Sequence, residues 1–229
     1  MTESESGANV LIDFTHRLIL IRCMGSAMIP VRLRMRAEVF PAETAEEIDF
    51  DVTFAKIKFW LETIVARSIV FCRSNLAAVE MLLAVEGKPI VTNHLMITPY
   101  EPTDEHLAAL FQSKMQALSG NTMNFGCVRI ETEESGLVFT YVGDWEVDLP
   151  SMQDWFDIKP YYFDVPWWQR DDASTLDVMA ENADITCMPA WAFGFDFIEK
   201  AFHPKEKSDD VVIRGGFTPK IIKGGRNDD

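Results

Sequence analysis

Positive charge is in short supply in this chain: 21 lysines and arginines stand against 36 aspartates and glutamates, a formal net charge of −15. That balance repels phosphate backbones and anionic lipid, so neither general nucleic-acid binding nor membrane-surface binding is expected, and solubility is the ordinary consequence. Long apolar runs are missing too, and none approaches the length that spans a bilayer. The opening Met1-Thr2-Glu3-Ser4-Glu5-Ser6-Gly7 has neither the basic nor the apolar region of a secretory signal. Cysteine is sparse: Cys23, Cys72, Cys127 and Cys187 lie too far apart for a CxxC or ribbon spacing, which points to reduced thiols in a cytoplasmic protein. The four histidines, His16, His94, His106 and His203, are likewise too dispersed to suggest the three close ligands of a catalytic zinc.

What is present suffices for a sizeable core, with 48% hydrophobic residues in 229. After a polar, disordered-looking tip at 1–9, residues 10–23 and 28–40 read as two strands of a hairpin about Gly25-Ser26. The second alternates, with Val31, Leu33, Met35, Ala37 and Val39 on one side and Arg32, Arg34, Arg36 and Glu38 on the other. From Phe50 the period lengthens. Phe54, Ile57, Leu61, Ile64 and Val65 recur at helical spacing, and Lys58 and Glu62 form an i,i+4 pair. A further helix is expected over about 74–85, stopped by Gly87-Lys88-Pro89, and a strand over 89–97.

Thr103 is placed to cap the next helix, with Asp104 and Glu105 beside its positive end and Leu107, Leu110, Phe111, Met115 and Leu118 as its buried stripe. Strands over 127–133 and 137–142 follow, joined through Ser135-Gly136. From 144 onward acidic residues outnumber basic ones two to one and aromatics are frequent. This extension is expected to pack on the core with its charges solvated, with helices over 174–181 and 195–202.

Two motifs sit in this framework. Pro102-Thr103-Asp104-Glu105 opens the second long helix, and Val128-Arg129-Ile130-Glu131-Thr132 forms the strand after it. With the element order, they resemble the PT-x-E helix and V-x-V-x-E-T strand of the 6-pyruvoyl- and 6-carboxy-tetrahydropterin synthases. The resemblance, over residues 10–143, implies an α+β tunnelling fold: ββααββ, an antiparallel sheet with two long helices on one face. Here it would carry an inserted helix and a C-terminal extension over 144–229. It also implies a homo-oligomer and a pterin- or purine-like ligand held by Glu131 with Thr132 beside it. A strand carboxylate can accept two parallel N–H bonds from an amino-pyrimidinone edge, and its commoner fate is an ion pair with a neighbour such as Arg129.

The family's C-x-x-x-H-G-H segment is altered here. Cys23-Met24-Gly25-Ser26-Ala27-Met28-Ile29 keeps the thiol and replaces both imidazoles by Ala27 and Ile29. Phe14-Thr15-His16-Arg17-Leu18 resembles the family's F-x-x-x-H-R-L with a shortened spacing, leaving His16 as a lone zinc-ligand candidate. Val70-Phe71-Cys72-Arg73 stands where the family has an Asp-His pair. Neither a metal site nor a cofactor is therefore expected.

The reading is a divergent pterin-synthase-like protein that keeps a heterocycle pocket without the zinc-dependent activity. One alternative is an active enzyme on a pterin or deazapurine precursor, with Cys23 as catalytic residue; a buried core thiol is the ordinary reading of that cysteine. The other is a non-catalytic structural oligomer or partner-binding protein. In either, the row Arg32, Arg34 and Arg36 lines an oligomer lumen balanced by Glu131 and Glu133, or seats an anion.

Overall fold

A computed structural model describes residues 12–42, 46–75, 95–133, 137–141, 149–155, 163–177 and 194–202. The expected tip at 1–9, most of the inserted helix and the chain's end lie outside them. Strands β1 (Ile12–Met24) and β2 (Ala27–Pro41) form the hairpin, turning at Gly25, whose φ of 56° is one that side chains disfavour. Helix α1 (Glu47–Phe59) runs on into a π-helical turn, Trp60–Val65, closed by the Ala66 amide on the Leu61 carbonyl at 2.9 Å. Then come β3 (Ile69–Cys72), β4 (Leu95–Thr98), α2 (Asp104–Ser119), β5 (Met123–Thr132), β6 (Leu137–Tyr141), the short α3 (Met152–Trp155) and α4 (Asp196–Phe202).

The six strands form one sheet in the order β4-β3-β1-β2-β5-β6. Its central run β1-β2-β5-β6 is antiparallel, as expected. The sheet as a whole is mixed, because the segment between the two long helices returns β3 and β4 parallel to β1 and places them on its outer edge. The chain is thus α+β, with β1 interior rather than at the sheet edge that an all-antiparallel sheet would give it.

Alternation in β2 sets the two faces. Leu33, Met35 and Ala37 are fully buried with Leu18 and Leu20 of β1 and Val128 and Ile130 of β5, under Ile57, Leu61, Leu107, Leu110 and Phe111 of the two helices. Burying this apolar surface is the main favourable term of the fold. β5 keeps register with β2 through a bulge in which Gly126 and Cys127 oppose Glu38. A side chain would be crowded there: a Cβ at 126 would stand 2.7 Å from the Phe40 ring, which would have to shift.

Residues beyond 148 join the same core. Trp167 and Trp168 are fully buried, Trp167 tilts against Trp60 at 6.5 Å between ring centres, and Trp155 meets Trp168 edge-on at 4.6 Å. Helix α4 lies along α1, with Lys56 2.5 Å from Glu199 and Phe197 edge-on to Phe59 at 5.0 Å. Residues 174–177, where a helix was expected to begin, have no helical structure, and 178–181 lie outside the described residues. They close the sheet instead. The Ile97 amide donates to the Thr175 carbonyl at 3.2 Å, Thr175 Oγ1 donates to the Leu95 carbonyl at 2.6 Å, and Trp167 Nε1 to the Ile97 carbonyl at 2.8 Å. The β4 edge is thereby paired, which removes a site for adding another strand.

Charges in this extension are not merely solvated. The Lys114 ammonium on α2 is fully buried and donates to the carbonyls of Trp167 and Arg170, each at 2.8 Å, with Asp172 at 3.5 Å. Arg170 in turn pairs with Asp177 and Asp172, bonds the Leu176 carbonyl at 2.9 Å, and lies 3.7 Å over the Phe163 ring. Burial pulls the Lys114 ammonium down to about 8, against the opposing field of Asp172.

Candidate functional site

β1, β3, β4 and β5 share one direction, so their carboxyl ends meet at one margin of the sheet. Helix α2 begins at the same margin, directly after β4. The strand ends are staggered there: Thr132 and Glu131 lie level with Leu18 and Arg17 of β1, Cys23 lies five residues further along beside Phe71, and Arg22 and Thr132 both reach the Pro102–Glu105 motif. Strand parity then divides them between the sheet's two faces.

On the helix face, Asp104 is the hub. It pairs with Arg22 of β1 and accepts a hydrogen bond from Thr132 Oγ1 at 2.8 Å to each carboxylate oxygen. Arg22 and Thr132 are both buried, so this network ties two strands to the start of α2 in a place of low dielectric. Thr103 caps the helix as expected, its hydroxyl accepting from the His106 amide at 3.3 Å. His106 Nδ1 lies 2.9 Å from the Glu101 carbonyl, and Tyr100 lies 5.0 Å from the His106 ring. Nearby, the Cys72 thiol sits 3.0 Å from Ser74 Oγ and donates to the Pro99 carbonyl at 3.4 Å.

The face turned away from α1 and α2, open among the described residues, carries Glu131. Its carboxylate accepts from Arg34 at 2.9 Å, and Glu133 lies 4.0 Å from Arg34 and 3.6 Å from Arg17. Glu131 is thus ion-paired with Arg34 of β2 rather than with Arg129, which sits 3.7 Å from Glu38. Glu131 and Thr132 consequently serve different faces: the acid is half-exposed beside arginines, the hydroxyl buried on Asp104.

Cys23 is 1% exposed and packs against Phe71, and burial pushes its thiol up. A nucleophilic thiol needs the opposite, a neighbour that favours the thiolate. His16 lies half-buried toward α1; burial lowers its pKa, partly offset by Glu62, and Phe14 stacks on it at 6.0 Å. Among the described residues, no three His, Cys, Asp or Glu side chains come together in a way that could hold a metal ion.

Sequence reading missed Arg22 as Asp104's partner, though the signal existed. Leu18, Leu20 and Arg22 share one parity in β1, so an arginine occupies an inward position that a buried charge holds only with a partner. Comparison with protein-family models and with curated protein sequences finds no match.

Proposed function

We propose that this chain is a small-molecule binding protein on a tunnelling-type ββααββ core, holding a pterin- or purine-like heterocycle through Glu131. The observation that carries the reading is the β1-β2-β5-β6 antiparallel run beneath two helices, with Glu131 on the face of β5 opposite those helices. There a half-exposed carboxylate can exchange one guanidinium partner, Arg34, for the amidine-like N–H pair of a ligand. Arg34 keeps Glu133 within reach, so the exchange leaves its charge compensated.

The position of β1 shapes the proposal. A ring closed by pairing outer strands would need β1 at an edge, and β3 and β4 occupy that edge. A homo-oligomer would therefore associate through β6 or through the open face rather than through β1.

A second reading, a structural or partner-binding protein, draws on the same ion pair: Glu131 and Arg34 as permanent partners in a charged lattice. Calorimetry with a panel of pterins and guanine-like compounds separates the two. Binding by the wild type that weakens by about 1.5 to 3 kcal/mol in Glu131→Gln, the scale of a charged hydrogen bond, supports the first. No binding by either protein leaves the second.

A further inference from the structure

We infer that the first half of β1 is an acceptor edge for an extended peptide, one that carries a carboxylate where it meets Arg67. Strand β3 covers β1 only from Ile21 to Cys23. Just before that point, the Arg67 amide donates to the Ile19 carbonyl at 2.6 Å and the Ile21 amide donates to the Ser68 carbonyl at 2.9 Å. Odd-numbered residues of β1 therefore turn their backbone groups toward the β3 side. The unbroken β1–β2 register carries this parity back through Arg17, Thr15 and Asp13, and among the described residues nothing pairs with those three on that side.

Folded proteins blunt such an edge with a proline, a bulge or a covering segment. Neither a proline nor a bulge interrupts β1 between Ile12 and Leu18, and the side chains of Thr15 and Arg17 are exposed. Backbone groups on three alternate residues suit an added strand of about six residues, held by main-chain hydrogen bonds.

Arg67 stands where this edge meets the start of β3. Its φ of 68° is a left-handed conformation that costs any side chain more than it costs glycine. Its guanidinium is exposed and makes no ion pair or hydrogen bond with the described residues. A strained backbone thus presents an unpaired cation at the end of an unpaired edge, and outliers of this kind point to function.

These two features define the partner. A peptide laid along β1 in the direction of β3 ends at Arg67, where a glutamate or a terminal carboxylate meets the guanidinium fork. Alternate residues of that peptide lie beside Phe14, His16 and Leu18 on the α1 side, where Phe14 meets Phe54 at 5.2 Å, and favour apolar side chains. The others lie beside Thr15, Arg17 and the 58% exposed Ile19, and favour polar ones. An overall charge of −15 repels a peptide that is acidic throughout, so the carboxylate belongs at the Arg67 end.

The test uses the full chain and a peptide of about six residues, alternating threonine and valine and ending in glutamate with a free carboxyl group. Fluorescence anisotropy should show saturable binding. Amide exchange followed by NMR should find Thr15 and Arg17 fast in the free chain and slowed about tenfold or more by the peptide, with Phe14 and His16, which face β2, unchanged. Arg67→Gln should weaken binding about tenfold and leave unchanged the binding of a peptide ending in amidated valine. Arg67→Gly should lose the same affinity while raising Tm, a pair of opposite effects that a merely structural arginine would not give. Thr15→Pro removes one edge donor and should abolish binding, with circular dichroism establishing that the fold persists. A peptide N-methylated at alternate residues, which cannot donate to the edge, should fail to bind the wild type.

Absence of peptide binding overturns the inference, as does equal binding by the N-methylated peptide or by Arg67→Gln. Thr15 and Arg17 amides already protected in the free chain also overturn it: concentration-dependent protection assigns the edge to a second copy, and concentration-independent protection assigns it to another part of the same chain. None of these results depends on heterocycle binding at Glu131.

Discussion

Replacing Lys114 by methionine tests whether a buried cation fastens residues 163–177 to helix α2. In the wild type the ammonium is enclosed completely and satisfied by two backbone carbonyls and Asp172. Its pKa falls from 10.5 to about 8 because desolvation outweighs the attraction of Asp172. With the folded value lowered, the unfolded chain binds the extra proton between those two limits, so stability rises as pH climbs through about 8. Over one and a half units, to about pH 9.5, the gain is about 2 kcal/mol, or roughly 4 to 8 °C in Tm for a chain of this size. Methionine fills the space and removes this proton. It also strips the Trp167 and Arg170 carbonyls of their donor, at about 1 to 3 kcal/mol each, set against relief from burying a charge. Thermal melts from pH 7 to 9.5 should show the variant less stable at pH 7 and the difference between the two proteins widening as pH rises. Parallel pH profiles, or a methionine variant more stable at pH 7, would refute the reasoning.

Two further substitutions probe the framework. Asp104→Ala leaves the buried Arg22 without its counter-charge and Thr132 without its acceptor; urea denaturation should show a loss of about 3 kcal/mol, most of it recovered when Arg22→Met is added, and simple additivity would contradict the network. Gly126→Ala drives a methyl into Phe40 at the β5 bulge and should cost about 1 to 2 kcal/mol, falling below about half a kcal/mol when Phe40 is already alanine; an unchanged cost in that background would place the strain elsewhere.

Local periodicity made much of this legible in the sequence. The alternation from Val31 to Val39 gave β2 and both its faces, and the stripe from Leu107 to Leu118 gave α2, because each pattern follows from one element burying one side. The same stripe contained Lys114, one turn after Leu110 and Phe111, and its burial could have been read from that spacing. What the pattern does not encode is pairing at a distance. Nothing local says that β3 will lie parallel to β1, or that Thr175 will bond β4 some 80 residues earlier. For the candidate site, parity put Glu131 on the face opposite Val128 and Ile130. Its choice of Arg34 over Arg129 depended on the β2–β5 register, which the bulge at Gly126 and Cys127 adjusts.

The two sheet faces divide the problem of charge. On the helix face, an ionised group is tolerated only when its partners are fixed, as Arg22 is by Asp104 and Lys114 by two carbonyls and Asp172. Each of these pairs joins segments far apart in the chain, so the charge contributes connectivity that apolar packing alone would leave less specific. On the open face, guanidinium and carboxylate groups stay half-solvated, and a contact such as Arg34–Glu131 is worth little on its own because water screens it. Little is then lost in exchanging one partner for another. Such reversibility is what the proposed exchange of Arg34 for a ligand at Glu131 requires, whereas the pairs of the dry face are costly to break and hold the strands in register.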